Sequence, residues 1–92
     1  MEQYFQEEEA DVLVLEKEVE SRNLLVYNDE VNTFEWVIET LVDVCKHSWE
    51  QAEQCSLLIH HKGKCSVRHG SYEDLKPLKE AICERGISAA IN

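Results

Sequence analysis

Between the apolar run Leu24-Leu25-Val26-Tyr27 and the amphipathic stretch from Phe34 to Cys45 lies the turn Asn28-Asp29-Glu30-Val31-Asn32. This junction limits the possible folds more than any other part of the chain. The run before it is short and continuously apolar, as suits a buried strand. After it, Phe34, Val37, Ile38, Leu41, Val42 and Cys45 recur at helical spacing and make one continuous apolar face. Asn32 with Glu35 three residues later fits a capping box, which places a helix start near Thr33. The turn itself sets an amide and two carboxylates where Gly, Ser or Pro would suffice. Negative charge at a helix N-terminus is worth about 0.3–1 kcal/mol per group, so a well-charged helix start explains it. A small site for a cation explains it as well, and both readings stand on these residues.

Further along, Ser48 and Gln51 repeat the capping signature and open a second helix of about Trp49 to Ile59. Its apolar positions are Ala52, Cys55, Leu58 and Ile59, and it runs out in His60-His61-Lys62-Gly63. Positive charge there suits the helix dipole, and Gly63 supplies the stop. Lys64 to Arg68 is the next strand candidate. Ser71 then caps a third helix from Tyr72 to Arg85. Pro77 within it would cost about 3 kcal/mol in a helix interior, a cost reduced if the helix begins near Glu73 or Asp74. Gly86 closes that helix, and Ile87 to Ile91 reads as a last strand. The order β-α-α-β-α-β predicts an α+β domain, a three-stranded antiparallel sheet with three helices packed on one face.

The chain has 92 residues, enough for a single modest core. Its formal charge of −10 argues against a general nucleic-acid binder. Residues 1–21 carry eight acidic groups against Lys17, a net of −7, so most of the acidity belongs to an extension preceding a core domain of 22–92. That extension is expected to be mobile, except that Val12-Leu13-Val14-Leu15 suits transient addition to a sheet edge. No apolar run approaches the roughly 20 residues of a bilayer span, and no secretory pattern opens the sequence. A cytoplasmic monomer without a membrane partner is expected. The four cysteines (Cys45, Cys55, Cys65, Cys83) form no C-x-x-C pair, and are expected to be reduced and mostly core-facing.

Cys45, His47, Cys55, His60, His61, Cys65 and His69 supply soft ligands, yet without the tight knuckles of a structural zinc site. No metal or cofactor is therefore expected. A Cys–His pair lacks any recognisable element to hold the base or an oxyanion, so no catalytic residue is assigned. What remains is the polar turn and His60, each beside apolar residues. If the first two helices pack by their apolar faces, an amide, carboxylates and an imidazole would rim a greasy floor. That arrangement suits a small cation with an apolar body.

The stretch Tyr27-Asn28-Asp29-Glu30-Val31-Asn32-Thr33-Phe34-Glu35-Trp36-Val37-Ile38 resembles the N-D-D-x-T-x-M-x-F-V pattern of the ClpS family, the adaptors of the Clp protease. Leu57-Leu58-Ile59-His60-His61-Lys62-Gly63-Lys64 resembles its second signature, an aliphatic pair, a histidine and a G-K turn. The likeness covers about Arg22 to Ile91. It implies a non-catalytic binding module that captures proteins beginning with Leu, Phe, Tyr or Trp. It further implies their delivery to a ClpA- or ClpC-type AAA+ unfoldase for degradation by ClpP. By position, Asn28, Glu30 and His60 would bind the substrate's α-amine, and Asp29 and Asn32 would shape the rim. Phe34, Val37, Ser56 and Ile59 would form the hydrophobic pocket with Tyr27 as a backbone neighbour. Lys76 matches a basic position of the unfoldase-docking surface.

The chain also departs from the family's pattern. Glu30 replaces the usual Asp, Asn32 stands where Thr is common, and Phe34 where Met is common. Ser56 falls where many relatives carry a Met that guards the entrance, so a broader preference that tolerates terminal Ile or Val is expected. Histidine accepts a hydrogen bond from an ammonium only while neutral, so binding is expected to weaken below about pH 6.5. The competing readings are a protein–protein docking domain of the same fold without N-terminal-residue binding, and a small metal-binding protein.

Overall fold

A computed structural model of the chain describes residues 21–92, so the expectations for the extension, including the run Val12 to Leu15, fall outside the described residues. Six elements follow in the order strand β1 (Arg22–Tyr27), helix α1 (Phe34–Cys45), helix α2 (Trp49–Lys62), strand β2 (Lys64–Gly70), helix α3 (Tyr72–Glu84) and strand β3 (Ala89–Ile91). The sheet has the order β2-β1-β3 and is antiparallel throughout, with β1 in the centre. This is the β-α-α-β-α-β, α+β layout expected from the sequence. Period-two alternation puts Leu24 and Val26 on the covered face, both fully buried, against Ile38, Leu41 and Cys45 of α1, Ala52 and Ile59 of α2, and Leu75 and Ile82 of α3.

Several boundaries differ from the sequence reading, each for a physical reason. The α1 cap is Thr33 and not Asn32: the Thr33 hydroxyl accepts from the Trp36 amide at 3.0 Å. Asn32 is engaged elsewhere, its amide donating to Asp29 and to the Gly86 carbonyl 54 residues away. Strand β2 runs on to Gly70, because a bulge at Val67 lets Arg68, His69 and Gly70 keep pairing with Leu24, Asn23 and Arg22. The Ser71 hydroxyl caps α3 by accepting from the Asp74 amide at 3.1 Å, so the helix starts at Tyr72 and Pro77 sits in its interior. The last strand is only Ala89–Ile91. On α2, Leu58 is 46 % exposed, because consecutive helical residues are about 100° apart and the inward stripe is Ala52, Ser56 and Ile59.

The cysteines divide by burial: Cys45 is buried, Cys55 and Cys65 half-buried, and Cys83 exposed; all four are free. Burial pushes the Cys45 thiol up to about 11. Burial, with Cys55 alongside, pushes Cys65 up to about 12. Both therefore remain neutral thiols that fill space. His47 is buried as well, its Nε2 2.9 Å from the Val67 carbonyl oxygen, which ties the α1–α2 loop to the bulge.

Candidate functional site

The register of the sheet determines where the site lies. Pairing of β1 with β2 ends at Tyr27 and Lys64, and the Asn28 amide then donates to the Gly63 carbonyl at 2.9 Å. Gly63 caps α2 at a φ of 95°, and its own amide donates to the Ile59 carbonyl at 3.0 Å. A glycine is favoured here because an L side chain is strained in the left-handed region. The chain therefore leaves β1 beside the last turn of α2, and Asn28 comes next to the turn that carries Ile59 and His60.

On the other flank, the turn is held by its own acid. Asp29 Oδ1 accepts from the Val31 amide at 3.0 Å and the Asn32 amide at 2.9 Å, while Oδ2 accepts from Asn32 Nδ2 at 2.7 Å. These bonds, the Asn32 amide first, hold the Asp29 carboxyl below its ordinary value. The second Asn32 Nδ2 proton goes to the Gly86 carbonyl at 2.8 Å, fastening the turn to the end of α3. One turn on, Trp36 Nε1 donates to the Arg85 carbonyl at 3.0 Å, and the Arg85 guanidinium lies 5.2 Å from the centre of the Trp36 ring. The start of α1 is thus braced twice against α3.

Between the turn, α1 and α2 opens a cavity of about 480 Å³ lined by Asn28, Asp29, Glu30, Asn32, Thr33, Phe34, Val37, Ser56, Ile59 and His60. The apolar face of α1 is divided in use: Ile38, Leu41 and Cys45 are buried against the sheet, while Phe34 and Val37 are half-buried and line the cavity. Polar groups gather on the turn and at the end of α2, and apolar groups on the facing helices. The side chains of Asn28, Glu30 and His60 hydrogen-bond to no other described residue, unlike Asp29 and Asn32. His60 packs edge-on to His61 with ring centroids 5.0 Å apart.

Of the residues singled out in the sequence, Asn28, Asp29, Glu30, Asn32, Phe34, Val37, Ser56, Ile59 and His60 all line this cavity. Tyr27 does not: it belongs to the end of β1, with its neighbour Asn28 taking the lining position. Lys76 is exposed on α3, a helix that contributes no lining residue. Thr33 was not singled out; its place one residue before Phe34 and its capping hydroxyl were the available signals. Among the described residues no group of three or more His, Cys, Asp or Glu is placed to hold a metal, and no helix is long and apolar enough to cross a membrane.

Fold and cavity together bring polar, acid-bearing residues of the turn and apolar residues of α1 and α2 to one concave surface. Residues 17–89 match the sequence profile of the family described as "ATP-dependent Clp protease adaptor protein ClpS". The chain belongs to the ClpS family. Over 58 residues it is 38 % identical to the ATP-dependent Clp protease adapter protein ClpS of Oleidesulfovibrio alaskensis, a match covering 61 % of this chain and 56 % of that protein. The chain thus spans little more than half the length of that curated relative. Among solved structures it superposes on Agrobacterium tumefaciens ClpS2 bound to L-phenylalaninamide with a TM-score of 0.73, at 18 % identity, covering 79 % of this chain and 95 % of that one. That likeness establishes the fold.

Proposed function

We propose that this ClpS-family adaptor captures proteins through a free N-terminal residue with a bulky apolar side chain and hands them to a ClpA- or ClpC-type AAA+ unfoldase for degradation by ClpP. The observation that carries this reading is the single cavity that joins Asn28, Glu30 and His60 to Phe34, Val37 and Ile59. An α-amino group has a reference pKa of about 7.7–8.0, so at neutral pH it is mostly cationic, and only the first residue of a chain offers one. Asn28 Oδ1 and an unprotonated nitrogen of His60 accept from that ammonium, and Glu30 supplies opposite charge. A charge-assisted hydrogen bond is worth roughly 1.5–3 kcal/mol. Burial of a Leu or Phe side chain adds about 1.5–3 kcal/mol. Neither contribution alone selects; together they demand a terminus and a large apolar group at once. The Agrobacterium relative holds L-phenylalaninamide, a ligand with both features, which supports the same assignment here.

The chemistry resides in the substrate's recognition, so no residue is given a catalytic role. Lys76, with its exposed ammonium on α3, is assigned to unfoldase docking, away from the residues that hold the substrate.

The test is a titration with labelled peptides that differ only in their first residue, each free and N-acetylated. Leu- and Phe-initiated peptides are expected to bind, with acetylation abolishing it. Asn28→Ala and His60→Ala are each expected to weaken binding by roughly 10- to 100-fold, the equivalent of one charge-assisted hydrogen bond. Equal affinity for free and acetylated peptides would exclude the proposal and leave the docking-domain reading.

A further inference from the structure

Strand β3 ends the sheet order β2-β1-β3, so among the described residues its outer edge has no strand beside it. Asn23 and Asn92 exchange both of their backbone bonds, and the Ser88 carbonyl accepts from the Tyr27 amide at 3.0 Å. By antiparallel alternation Ala89 and Ile91, lying between them, turn their amides and carbonyls away from β1. The Ala89 carbonyl accordingly lies 3.8 Å from Cys83 Sγ on α3. Beside this edge is a cavity of about 270 Å³, lined by Tyr72 and Lys79 of α3 and by Ala89, Ala90 and Ile91. The Arg22 guanidinium lies 6.0 Å from the centre of the Tyr72 ring, so two cations stand by this cavity in a chain of net charge −10. An open edge strand is a template for a further strand, and the side chains of Ala89 and Ala90 leave room for one.

We propose that Val12-Leu13-Val14-Leu15 adds to this edge as a fourth strand, parallel to β3, with its flanking acids meeting Arg22 and Lys79. The tether supports this occupant first. Only residues 16–21 separate Leu15 from Arg22, and β1 begins at the Asn92 end of β3. Six extended residues reach about 20 Å, whereas crossing two strand spacings takes about 10 Å. The return to β1 sets Leu15 at the Asn92 end, which fixes the direction. A tether this short gives an effective concentration on the order of millimolar, which a second copy in dilute solution does not match. Charge supports it next: Asp11, Glu16 and Glu18 bracket four successive β-prone apolar residues, and the cavity's two neighbouring cations are their complement. The β2 edge is the poorer template, since it is broken by the bulge at Val67 and carries exposed Lys64 and Arg68. This cavity shares no lining residue with the one proposed to capture N-terminal residues, so the two readings stand or fall separately.

The experiment is amide hydrogen exchange followed by NMR on the full chain and on two variants, each at two protein concentrations. The outward amides of Ala89 and Ile91 report on the edge, and the Tyr27 amide, bonded to Ser88 inside the sheet, is the control. In the unmodified chain the Ala89 and Ile91 amides are expected to exchange roughly tenfold more slowly than in the double variant Leu13→Asp, Val14→Asp, with Tyr27 unchanged. Amides from Val12 to Leu15 are expected to alternate between slow and fast exchange, as in a strand paired on one side. Lys79→Glu is expected to speed exchange at Ala89 and Ile91, because it sets like charge against the flanking acids. Equal rates at Ala89 and Ile91 in the unmodified chain and the double variant would overturn the proposal. Protection that grows with protein concentration would overturn it in favour of a second copy, and slowing confined to β2 in favour of the other edge.

Discussion

Asp29 lines the cavity and also holds the turn that forms one side of it. Three hydrogen bonds converge on its carboxylate from Val31 and Asn32. Asn28 and Glu30, the rim residues proposed to meet the substrate's amine, flank it directly in sequence. Its carboxyl is held below the ordinary value of 3.8, first by the Asn32 amide, so the folded state favours the ionised form. The sign follows: the stabilisation is fully present above the ordinary carboxyl range and is lost as pH falls through the lowered value. Asp29→Ala is expected to cost about 1 kcal/mol at pH 7, a value reduced from that of a buried charged hydrogen bond because water screens the turn. Urea unfolding of both chains at pH 7 and pH 3 checks it: the gap should shrink at the lower pH, whereas a gap independent of pH would mean that the residue acts by packing. Peptide affinity is expected to fall with the same substitution, because the loop that aims Asn28 and Glu30 loses its brace.

At the scale of elements, what could be read from the sequence was whatever is decided locally. The Ser48 and Ser71 caps, the Gly63 stop and the apolar stripe of α1 each depend on residues within a turn or two, and each is found where the sequence places it. The errors lie where a distant partner decides. Asn32 forms no cap: its side chain is turned toward Asp29 and a carbonyl 54 residues on, to both of which its Nδ2 donates, and Thr33 accepts from the Trp36 amide instead. Leu58 turns outward while Ser56 turns in, since the facing surface includes a cavity as well as a sheet. The lining of the candidate site was legible because two of its parts, the turn after β1 and the end of α2, are each contiguous in sequence. Their meeting depends on the β1–β2 register, which no local signal gives. Pro77 offers a test at this scale. It lies inside α3, where its missing amide forfeits the bond to the Glu73 carbonyl. Pro77→Ala is expected to raise stability by about 1–3 kcal/mol in chemical denaturation. Peptide affinity should stay constant, because α3 lines no part of the cavity. A variant of unchanged stability would mean that the helix already accommodates the ring at no cost.

For the molecule as a whole, the charge lies apart from the residues proposed for capture. Residues 1–21 carry a net of −7 out of −10, yet the residues proposed to hold a substrate all lie between Asn28 and His60. A net charge of −7 preceding β1 in the sequence is screened from a cationic terminus more than a Debye length away, about 8 Å at physiological salt. In the proposed mode the specific contributions, a paired ammonium and a buried side chain, come from the cavity. Removal of residues 1–21 is therefore expected to change peptide affinity by less than about twofold at physiological salt. For the proposed delivery, residues 1–21, low in hydropathy and high in charge, are the segment proposed to be engaged by the unfoldase. In a reconstituted reaction with unfoldase and peptidase, the shortened chain is expected to bind Leu- and Phe-initiated proteins as before while their degradation stops. Degradation at the original rate would locate handover on the folded domain, with Lys76 the first residue to replace. Loss of peptide binding in the shortened chain would instead make the tail part of the capture site, against the distribution of charge and cavity described above.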